Sequence, residues 1–291
     1  MQPAEPGRYL VVGNPITHSR SPQIHQAFAE QLGDVIVYEK AAVEPGDFAR
    51  FTERFRDDGG RGMNVTVPFK IDAFNFVDTL DEHARAAQAV NTIRFMDNRQ
   101  SQGFNTDGIG LLRDLSQRHH VSLKEKHVLL IGAGGAAQGA LLPLLQAGIR
   151  RLTLMNRTVE KAQRLLQQPA IADTSVEVSA QPLNILDEPA DIVINATSFG
   201  LADDQAIPLQ AHLVRHAFCY DMSYGAAARF CRWAQAAGAA ASVDGLGMLV
   251  EQAAQSYFIW HGHHPQTQSV YLMLRRADQE LTNSSTQGRL P

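Results

Sequence analysis

Val128-Leu-Leu-Ile-Gly132-Ala-Gly134-Gly-Ala136-Ala137 is an apolar run that breaks into the spacing G-x-G-x-x-A and continues as an alanine- and leucine-rich segment. The apolar run reads as a buried strand and the segment after it as a helix. Each small residue has a job in such a turn. Gly132 permits the tight bend, Gly134 lets a phosphate approach the backbone, and Ala137 lets the helix lie close to the strand. The free N–H groups and positive end of that helix then suit a pyrophosphate. From Val128 to Ile149 there is no charged residue, and the length approaches that of a bilayer span. Six glycines or prolines and two glutamines interrupt it, so a strand, a turn and a buried helix explain it better.

The next strand separates the two common dinucleotides. A chain that binds NAD usually offers an acidic residue about 20 positions on, for the ribose hydroxyls. Here the strand ends in Asn156-Arg157-Thr158, with Lys161 one helical turn further. A carboxylate would repel a 2′-phosphate, whereas a guanidinium pairs with one. The pattern selects NADP.

Outward from this unit, apolar runs alternate with helical patterns along the whole chain, the mark of an α/β protein. Before Lys126 the pattern predicts strands at residues 9–13, 35–40, 62–67, 91–95 and 103–105, with helices at 22–32, 46–57 and 81–88 between them. A helix at 110–118 links this series to the second. The second series predicts strands at 127–131, 151–155, 192–195 and 217–221, alternating with helices at 136–147, 159–167 and 226–237. Helices at 248–260 and 267–281 follow. The polar tail from Thr282 to Pro291 is expected to be disordered. With 291 residues, two domains fit better than one. Hydrophobic residues make up 44%, enough for two cores. A net charge of −4 argues against a nucleic-acid binder. Two cysteines give no disulfide framework and fit a reducing cytoplasm, and no signal pattern opens the chain.

The first series carries its own polar constellation. Ser21-Pro22 reads as the cap and first residue of a helix, which leaves Ser19 beside a positive helix end suited to a small carboxylate. In Asn64-Val-Thr66-Val-Pro68-Phe-Lys70, Asn64 and Thr66 share one strand face and Pro68 ends the strand. Lys70 then falls past the C-terminal edge, where open α/β sheets keep their sites. Only five lysines occur in the chain, against 21 arginines. Asn105-Thr-Asp107-Gly108 reads as a turn whose carboxylate can meet Lys70 as an ion pair. His261, His263 and His264 lack the acid or cysteine partners of a known metal site, and Cys219 and Cys231 are too few for zinc. No metal is expected.

Taken together and in order, these stretches resemble the shikimate dehydrogenase family from about Tyr9 to about Trp260. The resemblance also rests on Gly13-Asn-Pro-Ile-Thr-His-Ser-Arg-Ser-Pro22, Ala89-Val-Asn-Thr92, Asn195-Ala-Thr-Ser198, Tyr220-Asp-Met222 and Asp244-Gly-Leu-Gly-Met248. It implies reversible NADP-dependent oxidation of shikimate to 3-dehydroshikimate in aromatic amino-acid biosynthesis. The implied fold has an open α/β substrate domain over residues 1–108 and a Rossmann-like, doubly wound NADP-binding domain over 109–245. Helices over 246–281 return to the first domain, and the tail is 282–291. Lys70 and Asp107 match the family's catalytic pair. Ser19, Ser21, Thr66, Asn91, Tyr224 and Gln252 match substrate-holding positions. Gly132, Ala133, Gly134, Gly135, Ala136, Asn156, Arg157, Thr158, Lys161, Met222, Gly245 and Glu82 match positions near the cofactor. A soluble cytoplasmic enzyme, monomer or homodimer, with a small-molecule substrate and neither membrane nor nucleic-acid partner, is expected.

Three departures from the family pattern stand out: Gln138 where Arg is common, Gln88 where Gly is frequent, and Ala226-Ala-Ala-Arg229 where a Thr-Pro pair is usual. They leave a quinate- or aminoshikimate-oxidising paralogue, or a silent NADP-binding regulator, as alternatives. Burial of Lys70 would favour its neutral amine and a neighbouring Asp107 its ammonium, so the residues leave its protonation state open.

Overall fold

The computed structural model describes residues 6–172, 174–197, 207–225 and 228–287, with 281–287 described by backbone alone. Among these residues the chain forms two six-stranded sheets with helices packed on them. The first sheet contains β1 (Gly7–Gly13), β2 (Ile36–Ala42), β3 (Gly60–Val65), β4 (Thr79–Leu80), β5 (Thr92–Phe95) and β6 (Ser101–Phe104), in the order β2-β1-β3-β5-β6-β4. Strand β1 runs parallel to β2 and β3, while β5 is antiparallel to both β3 and β6. Parallel pairs need a helical crossover. Here α1 (Ser21–Leu32) and α2 (Phe48–Asp57) supply two of them. Short helices α3 (Lys70–Phe76) and α4 (Glu82–Ala87) line the same sheet. Its core gathers Leu10, Val12, Phe48, Phe55, Met63, Val65, Phe69 and Ile93.

The second sheet is parallel throughout. It contains β7 (His127–Ile131), β8 (Arg151–Asn156), β9 (Glu177–Pro182), β10 (Ile192–Asn195), β11 (Phe218–Asp221) and β12 (Ala241–Asp244), in the order β12-β11-β10-β7-β8-β9. Numbered from β7, that is the doubly wound order 3-2-1-4-5-6, and the order reverses between β7 and β10. Helix α6 (Gly135–Gln146) is buried on nearly every side, which explains its lack of charge. It is followed by α7 (Val159–Leu166), the single turn α8 (Pro169–Ala172) and α9 (Arg229–Ala236).

Helix α5 (Asp107–Arg113), with a π-helical turn at Asp114–Arg118, joins the two sheets and packs along α10 (Leu246–His261). Leu246, Val250, Ala253 and Tyr257 of α10 meet Ile24 and Phe28 of α1, and Val270 and Leu274 of α11 (Thr267–Gln287) complete that cluster. No described helix is long and apolar enough to cross a membrane.

Several expectations shift. The helix expected to end at Leu281 continues to Gln287, so the polar segment from Thr282 is helical over six residues. Asn and Ser are only weak helix formers, each costing under about 0.7 kcal/mol, and the true breakers come later, at Gly288 and Pro291. Residues 288–291 lie outside the described residues. Ser21 is the first residue of α1 rather than its cap; Arg20 takes the cap position, without a side-chain capping bond. Asp107 opens α5 instead of sitting in a turn. Strands β9 and β12 escape the hydropathy pattern because both are edge strands, half exposed and rich in small or polar residues. Ser198, Ala226 and Ala227, singled out in the sequence, lie outside the described residues.

Candidate active site

Between the sheets lies a cleft of about 360 Å³ lined from both sides. Val65 ends β3, and five residues later Lys70 opens α3, so the lysine stands past the strand's C-terminal edge. Asp107 reaches the same point as the first residue of α5. Lys70 Nζ donates to Asp107 Oδ2 at 2.5 Å. The other carboxylate oxygen accepts from Asn91 Nδ2 at 2.8 Å, and the Asp107 backbone N–H donates to Asn105 Oδ1 at 3.2 Å. Asn91 is itself fixed, because its Oδ1 accepts from the Thr106 N–H at 2.9 Å and from the Thr92 hydroxyl at 3.0 Å. The lysine remains about one-fifth exposed and faces the cleft.

The network extends inward from the pair. Tyr38 Oη donates to Asn64 Oδ1 at 2.6 Å, and Asn64 Nδ2 donates to Ser256 Oγ at 3.0 Å and Thr92 Oγ1 at 3.1 Å. His25 stacks on Tyr38 with ring centroids 4.3 Å apart. Its full burial, helped by the nearby His261 imidazole and opposed by the Asn64 amide, pushes the His25 pKa down to about 3. The imidazole is therefore neutral at ordinary pH. Sequence reading placed Asn64 on the right strand face but did not count it in the site; its pocket-lining role depends on the Tyr38 contact, which no local pattern encodes.

Also along the cleft, Ser19 Oγ donates to Ser21 Oγ at 3.2 Å and accepts from the Ser21 N–H at 3.3 Å. Both hydroxyls line the cleft beside the N-terminus of α1. His18, Thr66, Tyr224 and Gln252 complete the polar lining, His18 being absent from the sequence-predicted set, and Met248 and Leu249 supply apolar wall. The Tyr224 phenol is pushed up by burial. From the second sheet, Ala136, Met222 and Gly245 reach the same cleft.

Gly132, Ala133 and Gly134, in the turn between β7 and α6, and Gly135, the first residue of α6, lie outside that lining, at the switch point of the sheet. Gly132 has φ +113°, and a Cβ there would stand 2.9 Å from the Thr197 methyl and 3.0 Å from the Ala196 carbonyl. Gly134 is the reverse case: no atom lies within 4 Å of where its Cβ would be. The cap position of α6, Gly134, makes no side-chain capping bond. Asn156, Arg157 and Thr158 follow the adjacent strand β8; Asn156 Nδ2 donates to the Thr158 carbonyl at 2.8 Å, and Arg157 is exposed. Lys161 is exposed on α7. Open backbone at a helix start, with exposed cations at the next strand, fits a dinucleotide bearing an extra phosphate. Glu82 is not in the cleft; on α4 it accepts from Gln146 of α6 at 3.1 Å and so links the two units. The histidines pack or pair: His261 stacks on Tyr257, His264 on Phe258, and His263 meets Asp34 at 3.1 Å.

Comparison with known proteins gives the family and the fold. Residues 11–93 match the shikimate dehydrogenase substrate binding domain, 114–202 the shikimate/quinate 5-dehydrogenase model, and 245–271 the shikimate 5′-dehydrogenase C-terminal domain. Shikimate dehydrogenase (NADP(+)) of Methylobacillus flagellatus is 44% identical over 271 residues, covering 93% of this chain and 99% of that protein. The crystal structure of an Ael1 enzyme from Pseudomonas putida superposes with a TM-score of 0.85 at 41% identity, covering 92% of this chain and 98% of that one. Shikimate 5-dehydrogenase of Thermus thermophilus, solved with NADP(H) and shikimate, superposes with a TM-score of 0.80 at 30% identity over 93% of this chain and 99% of that one. The chain belongs to the shikimate dehydrogenase family.

Proposed function

We propose that the chain catalyses reversible oxidation of shikimate to 3-dehydroshikimate with NADP, a step on the route to chorismate and the aromatic amino acids. The observation that carries this reading is the Lys70–Asp107 pair, held by Asn91 in a cleft that Ala136, Met222 and Gly245 of the second unit also line. The bound nicotinamide supplies the hydride acceptor. Lys70 Nζ exchanges the proton of the reacting hydroxyl, and Asp107 Oδ2 stabilises the charged amine while that proton resides on it. Asn91 pins the other carboxylate oxygen, so the pair keeps its direction. Ser19 and Ser21, at a helix N-terminus, receive the substrate carboxylate. Thr66, Asn91, Tyr224 and Gln252 orient the ring hydroxyls, and Met248 and Leu249 exclude water.

On the cofactor side, Gly132 to Ala136 receive the pyrophosphate, and Asn156, Arg157, Thr158 and Lys161 receive the 2′-phosphate end. Met222 and Gly245, which line the cleft, would hold the reacting end of the cofactor, and Glu82 would contribute from outside that lining. Residues 1–108 serve as the substrate domain and 109–245 as the NADP domain, while 246–281 pack back on the first. The same reading makes the protein a monomer or a homodimer acting in the cytoplasm.

Initial rates of NADPH formation with shikimate, run beside quinate and with NAD replacing NADP, test the reading. The shikimate–NADP pair should turn over fastest. Intact NADPH binding without shikimate oxidation would remove the substrate assignment, and faster quinate oxidation would make the protein a paralogue.

A further inference from the structure

Helix α11 carries none of the residues that line the cleft, yet it is tied to both of its rims. On one side Asp278 pairs with Arg20, the residue between Ser19 and Ser21. Arg20 also reaches the Leu274 carbonyl of α11 at 3.5 Å. On the other side Arg275 pairs with Asp244 through both guanidinium nitrogens, one of the contacts being 2.8 Å. Both ion pairs are shielded, with all four side chains less than one-third exposed. Asp244 in turn accepts from the Gly225 N–H at 3.1 Å and the Leu246 N–H at 3.3 Å. Those two N–H groups follow Tyr224 and Gly245, which line the cleft. Tyr271 braces the arrangement from one turn back, its hydroxyl accepting from Arg275 Nε at 3.0 Å. The charges of Arg20 and Asp278 both act on the half-buried Tyr224 phenol, so the first anchor also bears on the tyrosine of the opposite rim.

We propose that α11 is a strap that sets the width of the substrate end of the cleft, with Arg275 and Asp278, three residues apart on one helix, as positioning residues for the Ser19–Ser21 and Tyr224–Gly225 rims. The proposal rests on the assignment of this cleft to shikimate. Arg20 spends its charge on Asp278, so the serine hydroxyls and not the guanidinium meet the substrate carboxylate. A bidentate Arg–carboxylate pair holds direction as well as distance. Releasing either anchor frees one rim, and releasing the second adds little because the strap is already broken.

A double-mutant cycle tests this in the full-length protein. Asp278→Asn and Arg275→Met should each raise KM for shikimate about tenfold, and the double variant should also lie near tenfold rather than the hundredfold of independent sites. kcat should stay within about threefold of wild type, because no acid–base group is removed. The exchange Arg20→Asp with Asp278→Arg should restore KM; failure to restore it would mean that Arg20 acts on the substrate directly and would overturn the strap. Multiplicative single effects, or unchanged KM in both singles, would overturn it as well. If Arg275→Met does not fold, Arg275→Lys replaces it, since one contact to Asp244 survives. Wild-type turnover of shikimate in the same assay reports separately on the substrate assignment.

Discussion

The two walls of the site, the substrate side first and the cofactor side second, differ in how much of their hydrogen bonding the chain completes by itself. On the first wall, Lys70, Asp107, Asn91, Thr92, Asn64 and Tyr38 bond one another in an almost closed set. On the second, Gly134 and Gly135 have no atom near their missing side chains, α6 has no capping side chain, and Arg157 and Lys161 stand exposed. One wall is preorganised and rigid, as positioning for chemistry demands. The other is built from open space beside glycines at a helix start, as close approach of phosphates demands. The same contrast predicts which mutations damage turnover and which damage cofactor binding.

The largest effect should come from Asp107→Asn, which removes the charge facing Lys70 while keeping the shape. kcat should fall by about 10²–10⁴-fold with NADPH binding unchanged; equal loss of both would erase the division between the walls. Next comes a stability effect confined to the first wall. Free histidine titrates near about 6.5, but His25 in the folded protein titrates at about 3. Between those values the unfolded chain takes up a proton that the folded chain refuses, so stability is full above about pH 6.5 and declines as pH falls toward 3. At pH 5 the loss is about 2 kcal/mol relative to pH 8. Denaturant titrations of wild type and His25→Phe at both pH values would show it, and an identical pH slope in the two proteins would refute it.

Arg157→Ala should raise KM for NADP about tenfold, worth about 1.4 kcal/mol, with KM for NAD unchanged. An equal rise for both cofactors would mean that Arg157 does not read the extra phosphate. The smallest effect on stability belongs to Gly134→Ala, which should shift unfolding by less than about 0.5 kcal/mol because the new methyl meets nothing. KM for NADP should nevertheless rise, since the methyl occupies the space the phosphates need. A large loss of stability with unaltered KM would sharpen the contrast in the wrong direction.

The second wall was the more legible of the two in the sequence. Its fingerprint is local: Gly132, Gly134 and Ala137 are close neighbours, and their spacing carries the physics of one turn. The first wall is assembled from Lys70, Asn91 and Asp107 on three separate elements, so the pairing could be anticipated from strand ends but not its 2.5 Å geometry. Edge strands β9 and β12 and the short helix α3 were illegible because half-exposed or short segments carry little periodicity. The anchors on α11 were illegible for a different reason. Arg275 and Asp278 look like ordinary solvent-facing charges, and only the tertiary fold brings them to Asp244 and Arg20.

The most direct test of the division between the walls is to measure Lys70→Ala twice on the same folded sample, by shikimate turnover and by NADPH fluorescence titration. A fall in kcat of about 10²–10⁴-fold with NADPH affinity within about twofold of wild type is the predicted result. Turnover near the wild-type rate would contradict it.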